Sequence, residues 1–232
     1  YPRKIKTLVL TPTRELAAQI GESFFKYGQF LKFKHFVIFG GVKQGRQVQA
    51  LKKGVDILVA TPGRLLDLLG QGKLSLKHVE FFVLDEADRM LDMGFIDDVK
   101  QILGECPQDK QTLLYSATIS TDIYEIAEQY MNNPKKISVE SYVDPSLLKQ
   151  VYYDVPMNLK FSLLVHLMKN EHSGLIMVFC NTQRTTSFVA KNLQKNGIKA
   201  IAIHGGLSQA KRNRSMDDFK DGDAFVLVCT DV

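Results

Sequence analysis

The chain has 232 residues, 45% of them hydrophobic and 24% charged, close to the averages of a globular protein and enough for a sizeable core. The formal charge of +5 divides into 19 Lys and Arg against 17 Asp and Glu through Glu140 and 11 against 8 after it, an excess that permits nucleic-acid binding without demanding it. No stretch approaches the roughly 20 uninterrupted apolar residues of a membrane span, Tyr1-Pro2-Arg3-Lys4 leads straight into a strand pattern rather than a signal peptide, and the three cysteines, Cys106, Cys180 and Cys229, lack the CxxC spacing of a metal site. A soluble protein of a reducing compartment, the cytoplasm, with no membrane partner is expected.

Short apolar, β-branched runs alternate with stretches of helical period along the whole chain. The runs are Thr7–Leu10, His35–Phe39, Val55–Ala60, Val79–Leu84, Thr112–Tyr115 and Lys136–Val139, then Gln150–Val155, Leu175–Cys180, Lys199–Ile203 and Ala224–Cys229. Near-continuous apolar strands such as Phe81-Phe82-Val83-Leu84 suit a sheet covered on both faces. After the first run, Leu16, Ile20, Phe24, Tyr27 and Leu31 recur at steps of four or three, which predicts one helical face. Ser162–Asn170 and Thr186–Asn196 read as helices too, the second stopped by Gly197. Repeated strand–helix–strand units imply an α/β fold with parallel sheets and right-handed crossovers. The segment Glu140–Lys149 carries Pro145 and no period, which predicts two domains, 1–140 and 150–232, joined by a linker at 141–149. A single larger domain with a surface loop there is the alternative.

The sharpest chemical signal is Val83-Leu84-Asp85-Glu86-Ala87-Asp88, an apolar strand ending in two adjacent carboxylates. At the carboxyl end of a parallel strand, Asp85 would sit where open α/β sheets bind ligands and could hold Mg²⁺ through its water shell. Glu86 beside it could orient and deprotonate an attacking water. Equally, Asp85 could cap the next helix and Glu86 favour its dipole. Pro12-Thr13-Arg14 and Thr61-Pro62-Gly63-Arg64 each start a helix. There, free N–H groups, a Thr hydroxyl, an Arg fork and a glycine that admits close approach suit a phosphate. Plain capping, by Thr11 or Thr13 at the first and by Thr61 with Pro62 at N1 at the second, explains the same residues and is compatible with phosphate contact. Gly40-Gly41 would act similarly from a loop. His204 reads as a strand-end histidine satisfied by backbone, not as a metal ligand.

Asp85-Glu86-Ala87-Asp88 spells the signature of the DEAD-box helicases, and the chain resembles that family throughout. The accompanying motifs stand in the family's order: Pro12-Thr13-Arg14-Glu15-Leu16, Gly40-Gly41, Thr61-Pro62-Gly63-Arg64 and Ser116-Ala117-Thr118. They continue with Asn181-Thr182, His204-Gly205-Gly206 with Gln209 and Arg212, and Thr230-Asp231-Val232. The resemblance implies two tandem RecA-like domains and an ATP-dependent RNA helicase using ATP and Mg²⁺. It assigns Asp85 to Mg²⁺ through water, Glu86 to general-base catalysis and Asp231 to the nucleotide sugar. Pro12, Thr13, Arg14, Gly40, Gly41, Thr61, Gly63, Arg64, Thr182 and Thr230 would grip the RNA backbone without reading bases. Asp88, Ser116, Thr118, Gln209 and Arg212 would couple the two sites. RNA is the implied partner, single-stranded or short duplex, with accessory proteins possible and a monomer expected.

No GxxxxGK followed by Ser or Thr occurs; the only Gly-Lys pair, Gly72-Lys73, precedes Leu74. The family places that phosphate loop before Pro12-Thr13-Arg14 and its γ-phosphate arginines after Thr230-Asp231-Val232. Truncation at both ends, and hence an inactive fragment, is expected. An RNA clamp that barely unwinds, or a DNA helicase, are the rival readings.

Overall fold

In the computed structural model the described residues are 3–138, 149–170 and 174–230. The chain divides into two compact units, one ending at Ile137 and the other starting at Ser138. Of the expected linker at 141–149, only Lys149 lies within the described residues.

The first unit carries five parallel strands: β1 (Thr7–Leu10), β2 (His35–Ile38), β3 (Ile57–Ala60), β4 (Phe81–Leu84) and β5 (Gln111–Leu114), in the order β2-β3-β1-β4-β5. Strand periodicity sorts their side chains. Leu8, Leu10, Leu58, Ala60, Phe82 and Leu84 form the larger core with helices α2 (Gly45–Lys52), α3 (Pro62–Gly70), α4 (Ala87–Asp92), α5 (Ile96–Gly104) and α6 (Thr121–Tyr130). Val9, Val37, Val59 and Val83 belong to the opposite cluster, with α1 (Arg14–Tyr27). Gly21 lets α1 lie close on β2, since a Cβ there would overlap the Val37 side chain. The stripe α1 turns to the sheet is Ala17, Ile20, Gly21 and Phe24. Tyr27 and Leu31, expected on that face, are instead exposed, because the helix stops at Tyr27 and the Gly28 N–H closes its last turn on the Phe24 carbonyl.

The second unit pairs β6 (Ile176–Phe179), β7 (Ala200–Ile203) and β8 (Val226–Cys229) in the parallel order β6-β8-β7. Val226 and Val228 pack with α7 (Lys160–Asn170) and α8 (Gln183–Lys195), while Leu227 and Cys229 pack with α9 (Gln209–Lys220). The α8 helix starts three residues before the expected Thr186, because Thr182 accepts the Thr185 N–H and caps it.

Two expected strands are absent. Lys136–Ser138 is irregular and exposed, Val139 lies outside the described residues, and Gln150–Val155 is irregular and almost wholly exposed. Strand propensity needs a ladder partner and a face to bury, and neither segment has one among the described residues. No helix among the described residues is long and apolar enough to cross a membrane.

Candidate functional site

All strands of the first sheet are parallel, so every strand-to-helix loop that follows one of them opens at the same, carboxyl edge. The strand order then sorts the motifs along that edge. Gly40-Gly41 follows β2, Thr61–Arg64 follows β3 and Pro12–Arg14 follows β1, side by side on one flank. Asp85–Asp88 follows β4 and Ser116–Thr118 follows β5 on the other. Neighbouring loops are tied in by backbone bonds, Thr61 N–H to Ile38 O at 3.2 Å, Thr11 N–H to Ala60 O at 3.0 Å and Asp85 N–H to Leu10 O at 3.0 Å.

On the acidic flank, neither carboxylate spends itself on capping α4. The Asp85 Oδ1 accepts the Glu86 N–H at 3.0 Å, and Glu86 makes no side-chain capping bond. Asp85 is half-buried and Glu86 exposed. Glu86 has left-handed backbone angles, φ 52° and ψ 53°, which an L-residue adopts only against a steric cost. The left-handed residue immediately precedes α4, and Glu86 is exposed at the carboxyl edge of the sheet. Asp88 is the junction with the next loop. Its Oδ2 accepts the Thr118 N–H at 2.9 Å and the Thr118 hydroxyl at 3.0 Å, and its own N–H donates to Ser116 Oγ at 3.2 Å. Ser116 in turn donates to the Thr118 carbonyl at 2.6 Å. Partial burial opposes ionisation of Asp88, but the bonds from Thr118, the Arg89 N–H and Ser116 outweigh it and hold the carboxyl below the usual range.

On the other flank, Thr13 caps α1 by accepting the Leu16 N–H at 3.3 Å. Thr61 stands at the N-cap of α3 with Pro62 next, yet its hydroxyl makes no capping bond. Arg14 reaches across to the glycine loop: Gly41 has φ +76°, and a Cβ there would run into the Arg14 guanidinium. Gly40 and Gly63 differ, since a Cβ on either meets nothing within 4 Å. The protein's own packing does not require glycine at those two positions.

Arg64 is turned inward. Its side chain is 11% exposed, and it donates to Gln47 Oε1 and to the Val42 carbonyl, each at 3.1 Å, with Asp67 at 3.5 Å. Gln47 lies outside every motif and the sequence reading passed over it. The available signal was its i,i+4 spacing from core-facing Leu51, which puts an amide on the buried side of α2.

In the second unit, Cys180–Thr182 follows β6, His204–Gly206 follows β7 and half-buried Thr230 follows β8, again at one carboxyl edge. His204 is buried: Nδ1 accepts the backbone N–H of Gly206 at 3.2 Å, as expected, while Nε2 faces a side chain, Ser187 Oγ on α8, at 2.9 Å. The backbone bond to Nδ1 assigns the proton to Nε2. Gln209 bonds Asn213 at 3.0 Å in the first turn of α9, and Arg212 is buried beneath it. Asp231 lies outside the described residues. No group of His, Cys, Asp and Glu among the described residues could by itself hold a metal ion.

Comparison with known proteins agrees with this geometry. The DEAD/DEAH box helicase family model matches residues 2–126, and that of the helicase conserved C-terminal domain matches residues 159–232. The chain is 43% identical over 229 residues to the DEAD-box ATP-dependent RNA helicase CshA of Bacillus subtilis, covering 98% of this chain and 46% of that protein. Among solved structures, a DEAD box protein from Methanococcus jannaschii is 40% identical with a TM-score of 0.57, over 99% of this chain and 62% of that one. Dbp5 of S. cerevisiae, bound to RNA and ADP BeF3, is 31% identical with a TM-score of 0.83, over 98% of this chain and 58% of that one. The chain thus spans about half the length of the curated relatives it matches. Two RecA-like units, a DEAD tetrad held to Ser116 and Thr118, and family models matching both halves lead to one assignment: the chain belongs to the DEAD/DEAH box helicase family.

Proposed function

We propose that the protein containing this chain is an ATP-dependent RNA helicase. It grips the sugar-phosphate backbone of one RNA strand without reading bases, and it couples ATP hydrolysis to local strand separation. The observation that carries this reading is the sorting of motifs along one sheet edge, with phosphate-type loops on one flank and the carboxylates on the other.

The two flanks suit different tasks. Gly40 and Gly63 leave open space beside helix starts and a charged fork, which suits a polyanion approaching the backbone. A grip of this kind is independent of sequence and weakens with salt. Contacts to 2′-hydroxyls would favour RNA over DNA. Thr182 and Thr230 are the second unit's share of that grip, and Asp231 its share of the nucleotide site.

The acidic flank fits a hydrated Mg²⁺ better than a caged one. Asp85 is a strand-end carboxylate with one oxygen occupied by a backbone N–H, and among the described residues no group of three or more His, Cys, Asp or Glu could hold a metal ion. Magnesium bound there with a nucleotide would neutralise charge on the phosphates. Glu86 orients the attacking water and takes its proton at a carboxylate oxygen. Asp88, Ser116 and Thr118 carry the position of that carboxylate pair to the neighbouring loop. The 232 residues contain no GxxxxGK loop to cradle a triphosphate. We further propose a monomer working in the cytoplasm, with accessory proteins acting on it.

The test is phosphate release by the natural full-length protein with and without RNA, beside the 232-residue chain. Hydrolysis by the full protein only with RNA, and none by the chain, supports the reading. A full protein that stays silent with RNA and Mg²⁺ in excess refutes it. Equal competition by DNA of the same sequence would remove the RNA assignment.

A further inference from the structure

We propose that Gln47 is a positioning residue for the RNA grip, fixing the glycine loop and Arg64 as one unit; this rests on the RNA-binding reading above. Gln47 is the one buried side chain of α2, 5% exposed, and both ends of its amide are used across chain segments. The Nε2 donates to the Phe39 carbonyl at 3.1 Å, on the residue just before Gly40. The Oε1 accepts from Arg64 Nη1 at 3.1 Å, and Arg64 Nη2 donates to the Val42 carbonyl at 3.1 Å, on the residue just after Gly41. A bridge of two side chains therefore holds the carbonyls on both sides of Gly40-Gly41.

The same bridge reaches two other motifs. Arg64 ends the Thr61–Arg64 turn, so its orientation and that of the α3 start are set together. The Arg14 guanidinium lies against Gly41, so displacement of the loop moves Arg14 as well. An amide suits the middle position, because it donates to a carbonyl with one end and accepts from a guanidinium with the other. Without the Gln47 oxygen, one nitrogen of a nearly buried guanidinium loses its partner, and the side chain is held only by the Val42 carbonyl and Asp67. Three loops from β1, β2 and β3 would then lose their common spacing, and an RNA backbone bound across them would lose several contacts together.

Gln47 is buried, and its amide is spent on Phe39 and Arg64 at the glycine-loop flank, so its removal is expected to act on RNA affinity and not on the hydrolytic step. The experiment uses the natural full-length protein and a short single-stranded RNA in steady-state ATPase assays. Gln47→Met keeps the length and removes the amide. It is expected to raise the KM for RNA about tenfold while the KM for ATP and kcat at saturating RNA change less than about twofold. Gln47→Glu keeps an acceptor for Arg64 but sets a carboxylate oxygen against the Phe39 carbonyl where the donor stood, so it is expected to shift the RNA KM by about threefold. It also serves as the readable variant should Gln47→Met fold poorly.

Arg14→Ala provides the reference. If Arg14→Ala weakens RNA binding and both Gln47 variants leave it unchanged, the Gln47 inference is wrong and the RNA reading stands. If none of the three changes it, the RNA grip itself is wrong. A parallel rise in both KM values with a lowered thermal midpoint would make Gln47 an ordinary packing residue and overturn the inference.

Discussion

Replacing Glu86 with Gly should make the first unit more stable while abolishing hydrolysis by the full protein. Glu86 holds φ 52° and ψ 53°, a conformation that costs an L-residue roughly 1–2 kcal/mol. Glycine enters that region freely but loses more chain entropy on folding, roughly 0.5–1 kcal/mol. No capping bond of the Glu86 side chain is forfeited. The balance is a gain of about 0–1.5 kcal/mol. Glu22→Gly is the opposing control, since Glu22 lies inside α1, where the same exchange costs about 1 kcal/mol. The sequence contains no tryptophan, so urea unfolding of the 232-residue chain is followed by far-ultraviolet circular dichroism. The shift is expected in the transition of the unit ending at Ile137. A loss of more than about 1 kcal/mol for Glu86→Gly would refute the argument that backbone strain is held at this carboxylate. Among the described residues the only other non-glycine with positive φ is Asn133. Asparagine tolerates that conformation, which makes a glutamate there the more telling case.

Three further outcomes follow from the same geometry. Asp88→Asn removes a carboxylate whose ionised form is held by Thr118, Arg89 and Ser116; because its folded pKa is depressed, its contribution is full above the usual carboxylate range and fades as pH falls through the folded value, so the variant should lose about 1 kcal/mol at neutral pH and converge with the parent in acid, and a difference that persists unchanged at low pH would contradict it. Gly41→Ala must bring a Cβ into the Arg14 guanidinium at φ +76° and should cost about 1–2 kcal/mol, whereas Gly40→Ala meets nothing and should change stability by less than about 0.5 kcal/mol while still weakening RNA binding; urea midpoints and RNA titrations of the two variants separate these effects. Burial pushes the Cys106 thiol up to about 12, and burial raises half-buried Cys180 against the opposing Thr186 hydroxyl, so iodoacetamide at neutral pH should label Cys180 before Cys106, as read by peptide mass mapping.

Much of this was legible in the chain because it depends on neighbours in sequence. The apolar runs that became β1–β8 carry their own periodicity, and Thr13 and Thr182 start helices because each meets an N–H three residues on. The motif order likewise points to a family, and local composition was enough to place each motif at a strand end. Residues whose state depends on a distant partner could not be read this way. Lys136–Ser138 and Gln150–Val155 have strand-like composition yet form no strand, since a strand exists only beside another. Tyr27 and Leu31 fit the helical period of α1 but lie beyond the part that reaches the sheet.

The arrangement of the site belongs to the same class. Pro12–Arg14 comes first in the chain, yet the order β2-β3-β1-β4-β5 sets it between the glycine and Thr61 loops on one side and the carboxylates on the other. That order is an outcome of which strand edges pair, and pairing is a long-range event. Gln47 shows the limit most clearly. Its composition and position say only that a polar residue shares a face with Leu51. Whether that amide is exposed or buried between Phe39 and Arg64 is settled by three segments meeting, because a buried polar group is tolerated only where the fold supplies both of its partners.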